Sequence, residues 1–144
     1  MLHGISPILS PELLKIVAEM GHGDELVIGD GNFPAASMSQ RLVRADGHGV
    51  APILEGLLPL FPLDRFVSQP AALMQVVAGD TTQPTIWEDY RAVIQKYQPE
   101  RIAEGFEMVE RFAFYDRTRS AYAVVATGET ALYANIILKK GVVE

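Results

Sequence analysis

A chain of 144 residues has the size of one domain, and a composition that is 49% apolar and 21% charged excludes disorder. The absence of cysteine excludes a disulfide scaffold, Cys-ligated zinc, a thiol nucleophile and an iron–sulfur cluster. Twelve Lys and Arg against eighteen Asp and Glu leave a formal charge of −6, which argues against nucleic acid as a partner. With a mean hydropathy of +0.14, the chain carries more apolar surface than the core of so small a domain conceals. A homo-oligomer is therefore expected.

Residues 1–7 show neither a basic region nor a long apolar core, and no apolar run approaches the ~20 residues that span a bilayer. No membrane partner is expected, and the cytoplasm is the expected compartment.

In chain order, Ser10 reads as an N-cap, Pro11 as the first helical residue and Glu12 as an acid in the positive first turn. The helix they open has an apolar stripe of Leu13, Val17 and Met20, and Gly21 is its expected stop. Residues 26–28, between Gly23 and Gly29, read as a buried strand that runs into a cluster of turn formers at 30–34. Residues 41–45 read as a second short strand, and 50–58 as a helix stopped by Pro59 and Pro62. Two further strands are expected at 66–67 and 72–77. Pro84 opens an amphipathic helix with Ile86, Tyr90, Val93 and Tyr97 on one face, ended by Pro99. Residues 106–109 fit a strand or a helix start. The stretch 111–119 fits both periods, since Phe112 and Phe114 alternate while Phe112, Tyr115 and Arg119 keep helical spacing; it is read as a helix. Residues 122–127 and 133–138, around a turn at Gly128-Glu129, read as a hairpin-like pair of strands. The alternation of strands and helices predicts a layered α/β domain with a mostly parallel or mixed sheet.

The densest polar constellation is Gly21-His22-Gly23-Asp24-Glu25, followed after the strand by Asp30. His22 lies between two glycines that let a ligand approach the backbone, or else it neutralises the preceding helix C-terminus. Asp30 stands at the C-terminal end of a strand, the side on which open α/β sheets bind ligands, or else it bonds its own turn. A histidine and a carboxylate supply acid–base chemistry near neutral pH. Asp24 and Glu25 read as solvated. His3, His22 and His48 lack the spacing of a helical metal pair, so no metal is expected. Gly29-Asp30-Gly31 lacks the third glycine and following helix of a dinucleotide site, and there is no Walker or Gly-x-Ser-x-Gly pattern. No cofactor and no covalent nucleophile are expected. Arg111 and the segment Tyr133-Ala134-Asn135 offer forked donors for vicinal hydroxyls and a ring for the apolar face of a sugar. The other reading puts Phe112 and Tyr133 in the core and leaves Arg111 and Asn135 at an edge.

The motifs Glu19-Met20-Gly21-His22-Gly23-Asp24-Glu25, Asp30 with Asn32-Phe33-Pro34-Ala35, and Arg44-Ala45-Asp46-Gly47 resemble the fucose branch of the ribose pyranase/fucose mutarotase family. So do Arg111-Phe112-Ala113-Phe114-Tyr115, Thr127-Gly128-Glu129, and Tyr133-Ala134-Asn135 with the residues that follow to 142. The resemblance runs from about residue 5 to 142, and the 111–115 tract is what favours the fucose branch. It implies a three-layer α/β/α fold with a mixed, mostly parallel sheet. It implies ring-like homo-oligomers, commonly decamers of two stacked pentamers, with sugar sites near subunit contacts. The activity it implies is interconversion of the α and β anomers of L-fucose or a related reducing sugar, a monosaccharide substrate, without cofactor or metal. His22 matches the family's proton-donating histidine. Asp30, Arg111, Tyr133, Ala134 and Asn135 match its sugar-binding positions, Ala134 through its backbone alone. Pyranose–furanose interconversion of ribose and non-catalytic sugar binding in regulation are the alternatives. Residues 64–104 match less specifically and are where sugar choice would be tuned.

Overall fold

The Ser10 side chain accepts a hydrogen bond from the Leu13 N–H at 3.1 Å, so α1 (Pro11–Glu19) starts at its expected cap in the computed structural model, which describes residues 1–144. The helix ends on an extended Met20, and the left-handed turn that follows is made by Gly23 (φ 86°) rather than by Gly21. The chain then forms β1 (Glu25–Gly29), α2 (Ala35–Met38), β2 (Leu42–Ala45), α3 (Val50–Leu57) and β3 (Ala71–Met74). It continues with α4 (Ile86–Tyr97), a 3₁₀ turn at Pro99–Ile102, β4 (Glu107–Val109), α5 (Arg111–Ser120), β5 (Ala123–Thr127) and β6 (Ile136–Lys139).

The ambiguous stretch after residue 110 is helical because Glu110 caps it, accepting from the Phe112 and Ala113 N–H groups at 2.9 and 3.1 Å. No strand forms at 66–67: Phe66 is 65% exposed and its N–H is bonded to the Asp64 carboxylate. The single turns α2 and Pro99–Ile102 are too short to leave a periodic signal.

One six-stranded sheet has the order β2-β5-β1-β6-β3-β4. β6 runs antiparallel to both of its neighbours, β1 and β3, while the pairs β1–β5, β2–β5 and β3–β4 are parallel. The sheet is therefore mixed and mostly parallel. β5 and β6 are not a hairpin, because β1 lies between them, with Ile28 opposite Val125 on one side and Ile136 on the other. The pleat sends alternate residues of β1 to opposite faces. Leu26 and Ile28 join a 25-residue core with α1, α3 and α4, while Val27 joins an 11-residue core with α2 and α5. These two cores make the three layers. No helix is long and apolar enough to cross a membrane.

The smaller core depends on Phe114, fully buried and edge-on to Phe33 at 5.9 Å between ring centroids. Phe114→Ala is expected to lower unfolding free energy by about 3–5 kcal/mol, as read by urea denaturation.

Candidate active site

β1 delivers Asp30 to the C-terminal edge of the sheet. Because β6 runs the other way, the residue that leads into it, Asn135, arrives at the same edge. The Asp30 N–H donates to Asn135 Oδ1 at 2.8 Å, a bond between residues 105 apart in the chain. Asp30 Oδ1 accepts from the Asn32 N–H at 3.0 Å and closes the turn after β1. Gly29 is required just before it, since a Cβ there would lie 2.7 Å from the Phe33 ring. The Thr127 hydroxyl donates to Gly29 O at 2.7 Å and the Gly31 N–H to Glu129 O at 2.7 Å, tying the end of β1 to the end of β5.

These groups open on a cleft of about 290 Å³, lined also by Phe33, Met74, Val77, Asp80, Arg111 and Tyr133. Asp30 and Asn135 are 7% and 5% exposed. No buried side-chain polar atom lacks a partner, so the Asn135 amide nitrogen, which bonds nothing in the protein, is turned to the cleft. An acceptor and a donor, each from a largely buried residue, thus face one opening, the pairing that a sugar hydroxyl satisfies on both sides. Burial raises the Asp30 carboxyl above the usual carboxylate range, against backbone hydrogen bonds from Asn32, Ala134 and Phe33 that pull it down.

β4 brings Arg111 to the same rim as the first residue of α5. Its Nε donates to the Tyr115 hydroxyl at 3.1 Å, with the guanidinium 5.5 Å from that ring's centroid. Tyr133 is the one non-glycine residue with positive φ, at 56°. Its hydroxyl donates to Asp80 Oδ2 at 2.6 Å and accepts from the Val77 N–H at 3.3 Å, which hangs the β3–α4 loop over the cleft. The same bond to Asp80 raises the Tyr133 hydroxyl above its ordinary value. Ala134 is fully buried, and its N–H helps to lower the Asp30 carboxyl.

His22 lies elsewhere. It precedes β1 and Asp30 follows it, and the five residues of that strand alone span roughly 16 Å. At this opposite edge His22 Nε2 is 3.1 Å from Asp64 Oδ1, and its ring is 5.3 Å from that of Phe66. The His22 side chain is 46% exposed and that of Asp64 only 5%. Burial acts to raise the Asp64 carboxyl, but the Phe66 N–H, the bond to His22 and the charges of His22 and Lys139 outweigh it and hold it low. The chain therefore gathers Asp30, Arg111, Tyr133, Ala134 and Asn135 at one edge and puts His22 at the other. Asp64 was not legible in sequence: it is 42 residues from His22, in a segment with no motif. Asp24 accepts the Gly21 N–H at 2.8 Å, and Glu25 pairs with Arg117, so neither is simply solvated.

The sequence profile of the RbsD / FucU transport protein family matches residues 3–143. An L-fucose mutarotase of Actinobacillus pleuropneumoniae serotype 5b is 57% identical over 142 residues, which cover 99% of this chain and 97% of that protein. FucU from Bifidobacterium longum superposes with a TM-score of 0.94 at 52% identity, covering 98% of this chain and 99% of its own. The fucose mutarotase from Streptococcus pneumoniae, solved in complex with L-fucose, superposes with a TM-score of 0.92 at 46% identity, over 99% and 100% of the two chains.

Because the fold holds the Asp30 carboxyl raised, its charge opposes folding at neutral pH, and the opposition fades as pH falls from the raised value to the ordinary one. Asp30→Asn is expected to raise the thermal midpoint of the ligand-free protein at pH 7. The gain should shrink to nothing on acidification, as followed by calorimetry across a pH series.

Proposed function

Because this chain belongs to the RbsD / FucU transport protein family, we propose that its cleft binds L-fucose and that the protein interconverts the α and β anomers of that sugar. The observation that carries the proposal is the facing pair of Asp30 and Asn135, a buried acceptor and donor that orient each other at the cleft floor. Arg111 adds forked donors at the rim and Tyr133 a ring for the apolar face of the sugar. The L-fucose complex of the Streptococcus pneumoniae relative supports the same choice of ligand.

Exchange of anomers needs three events. A proton leaves the anomeric hydroxyl, the bond from the anomeric carbon to the ring oxygen breaks, and the ring oxygen takes up a proton. The free aldehyde turns about the bond to its neighbouring carbon, the ring hydroxyl attacks its other face, and the protons return. Net protonation is unchanged, so one acid–base group that gives and regains a proton is sufficient. General acid–base catalysis contributes about 10²–10⁴-fold. In this scheme Asp30, Arg111 and Asn135 hold the hydroxyls and His22 is the proton donor.

His22 reaches the sugar from a neighbouring copy of the chain. Three features support this: the separation of the two edges, the exposure of the imidazole, and an uncovered apolar patch beside each half of the site. Phe66, against the His22 ring, and the adjoining Val67 are exposed, as are Phe112, Leu132 and Val77 around the cleft. Two different patches on one chain make a head-to-tail contact, which closes into a ring where the rotation between copies divides a full turn. A decamer of two stacked pentamers is the assembly that the family resemblance implies.

His22→Ala is expected to lower exchange between α- and β-L-fucose about 10²–10⁴-fold, read by saturation-transfer NMR, while sugar binding stays close to the parent and the thermal midpoint falls modestly because the buried Asp64 carboxylate loses a partner. Mixing it with Asp30→Ala under conditions that let subunits re-assort should restore exchange, since some contacts then join an intact His22 to an intact cleft. No restoration in assembled mixtures would place the proton donor within one copy. Exchange by the parent protein no faster than buffer for fucose, ribose and galactose would remove the activity altogether.

A further inference from the structure

We propose that Trp87 and Tyr90 of α4 are positioning residues of the sugar site, holding the backbone of Tyr133 and Ala134 so that the Ala134 N–H is aimed at the Asp30 carboxylate. The inference takes the sugar-binding role of Asp30 from the reading above. Its ground is a pair of hydrogen bonds that the cleft itself does not contain. Trp87 Nε1 donates to Tyr133 O at 2.7 Å, and the Tyr90 hydroxyl donates to Ala134 O at 2.7 Å. The two rings stand three residues apart on one helix face and take two successive carbonyls.

Those carbonyls belong to a strained segment. Tyr133 is left-handed (φ 56°), a conformation an L-residue leaves unless its surroundings hold it. Drawing both carbonyls toward α4 supplies that restraint. The trans peptide leaves the N–H between them facing the other way, on the side of the Asp30 carboxyl, which it helps to lower. Tyr90 is fully buried among the larger core, so its hydroxyl is a fixed anchor rather than a swinging side chain. The next residue in the chain is Asn135, whose amide oxygen takes the Asp30 N–H. A slack Tyr133-Ala134 backbone would therefore disturb both sides of the buried pair.

Besides the Ala134 N–H, Asp30 faces Glu129 from the loop after β5, Tyr90 from α4 and the cleft groups Arg111, Tyr115, Asp80 and Tyr133. Tyr90→Phe and Trp87→Phe remove a ring donor without changing any of the charged groups in that set. Tyr97→Phe is the control, because it removes a hydroxyl from the same helix that donates to Glu55, away from the cleft. Two quantities are read: the titration of the Asp30 carboxyl carbon by ¹³C NMR in the sugar-free protein, and the dissociation constant for L-fucose. Turning the Ala134 N–H away from the carboxylate should move the Asp30 titration upward by about half a pH unit or more in both variants. Fucose binding should weaken about tenfold, the scale of one hydrogen bond to a charged group. Tyr97→Phe should lower the thermal midpoint and move neither quantity. A folded Trp87→Phe or Tyr90→Phe protein with the parent's Asp30 titration would overturn the proposal. If Tyr90→Phe does not fold, Trp87→Phe decides it. A parent protein that does not bind fucose would sink the functional reading instead, and the Asp30 titration would still judge this one.

Discussion

The reversed course of β6 between β1 and β3 is the constraint on which both halves of the proposed site depend. Five strands share one direction, so their C-terminal ends share one edge, where an open α/β sheet binds its ligands. A sixth strand running the same way would carry Tyr133-Ala134-Asn135 to the opposite edge. Running against them, it brings Asn135 to Asp30 and closes a bond that no local segment could make. Its other end serves the second half. Lys140 O accepts the Gly23 N–H at 2.8 Å and Lys139 O the Asp64 N–H at 3.0 Å, so β6 also fixes the turn that carries His22 and the loop that carries Asp64.

What was legible in the sequence follows from how far each signal reaches. Ser10-Pro11 and the stripe behind it are local chemistry, and α1 forms where they indicate. The stretch 111–119 has no decisive period; a single cap, Glu110, makes it a helix. The segments 122–127 and 133–138 carry the mark of a hairpin, yet strand partners are chosen by the whole sheet, and β1 takes the place between them. The site divides in the same way. Asp30 was readable from its place after a buried strand, and Arg111 and Asn135 from donor chemistry. Their convergence was not, since it depends on the direction of β6. Tyr90 was visible only as one residue of an apolar face, where its ring does sit. The hydroxyl that reaches Ala134 O leaves no trace in a hydropathy pattern.

In the proposed assembly each chain carries one cleft and one imidazole on opposite edges, and neither is complete alone. A head-to-tail contact joins a cleft to an imidazole at every interface. An open string of copies leaves one of each unused at its ends; a closed ring leaves none. Activity and closure are then two consequences of one contact. The Asp64 carboxylate gives that contact its accuracy, because it holds the His22 ring from the buried side while the other side remains open.

The cleft edge is also where this chain departs from its own local preferences. The Asp30 carboxylate is buried with its charge disfavoured by desolvation. Tyr133 sits in a left-handed conformation that a glycine would adopt freely. Arg111 is the first residue of α5, at the positive end of the helix dipole, where an acid is the stabilising choice. Elsewhere the same rules are kept: acids occupy the first turns of α1 and α4, and the positive φ angles fall on glycines. Each of the three departures has a nearby restraint, Asp30 from Asn135, Tyr133 from Trp87 and Arg111 from Tyr115. A fold that needed only stability would relieve all three with single substitutions. Their meeting on one cleft of about 290 Å³ is explained if an occupant supplies the hydroxyls that the acid, the amide and the guanidinium are held ready to bind.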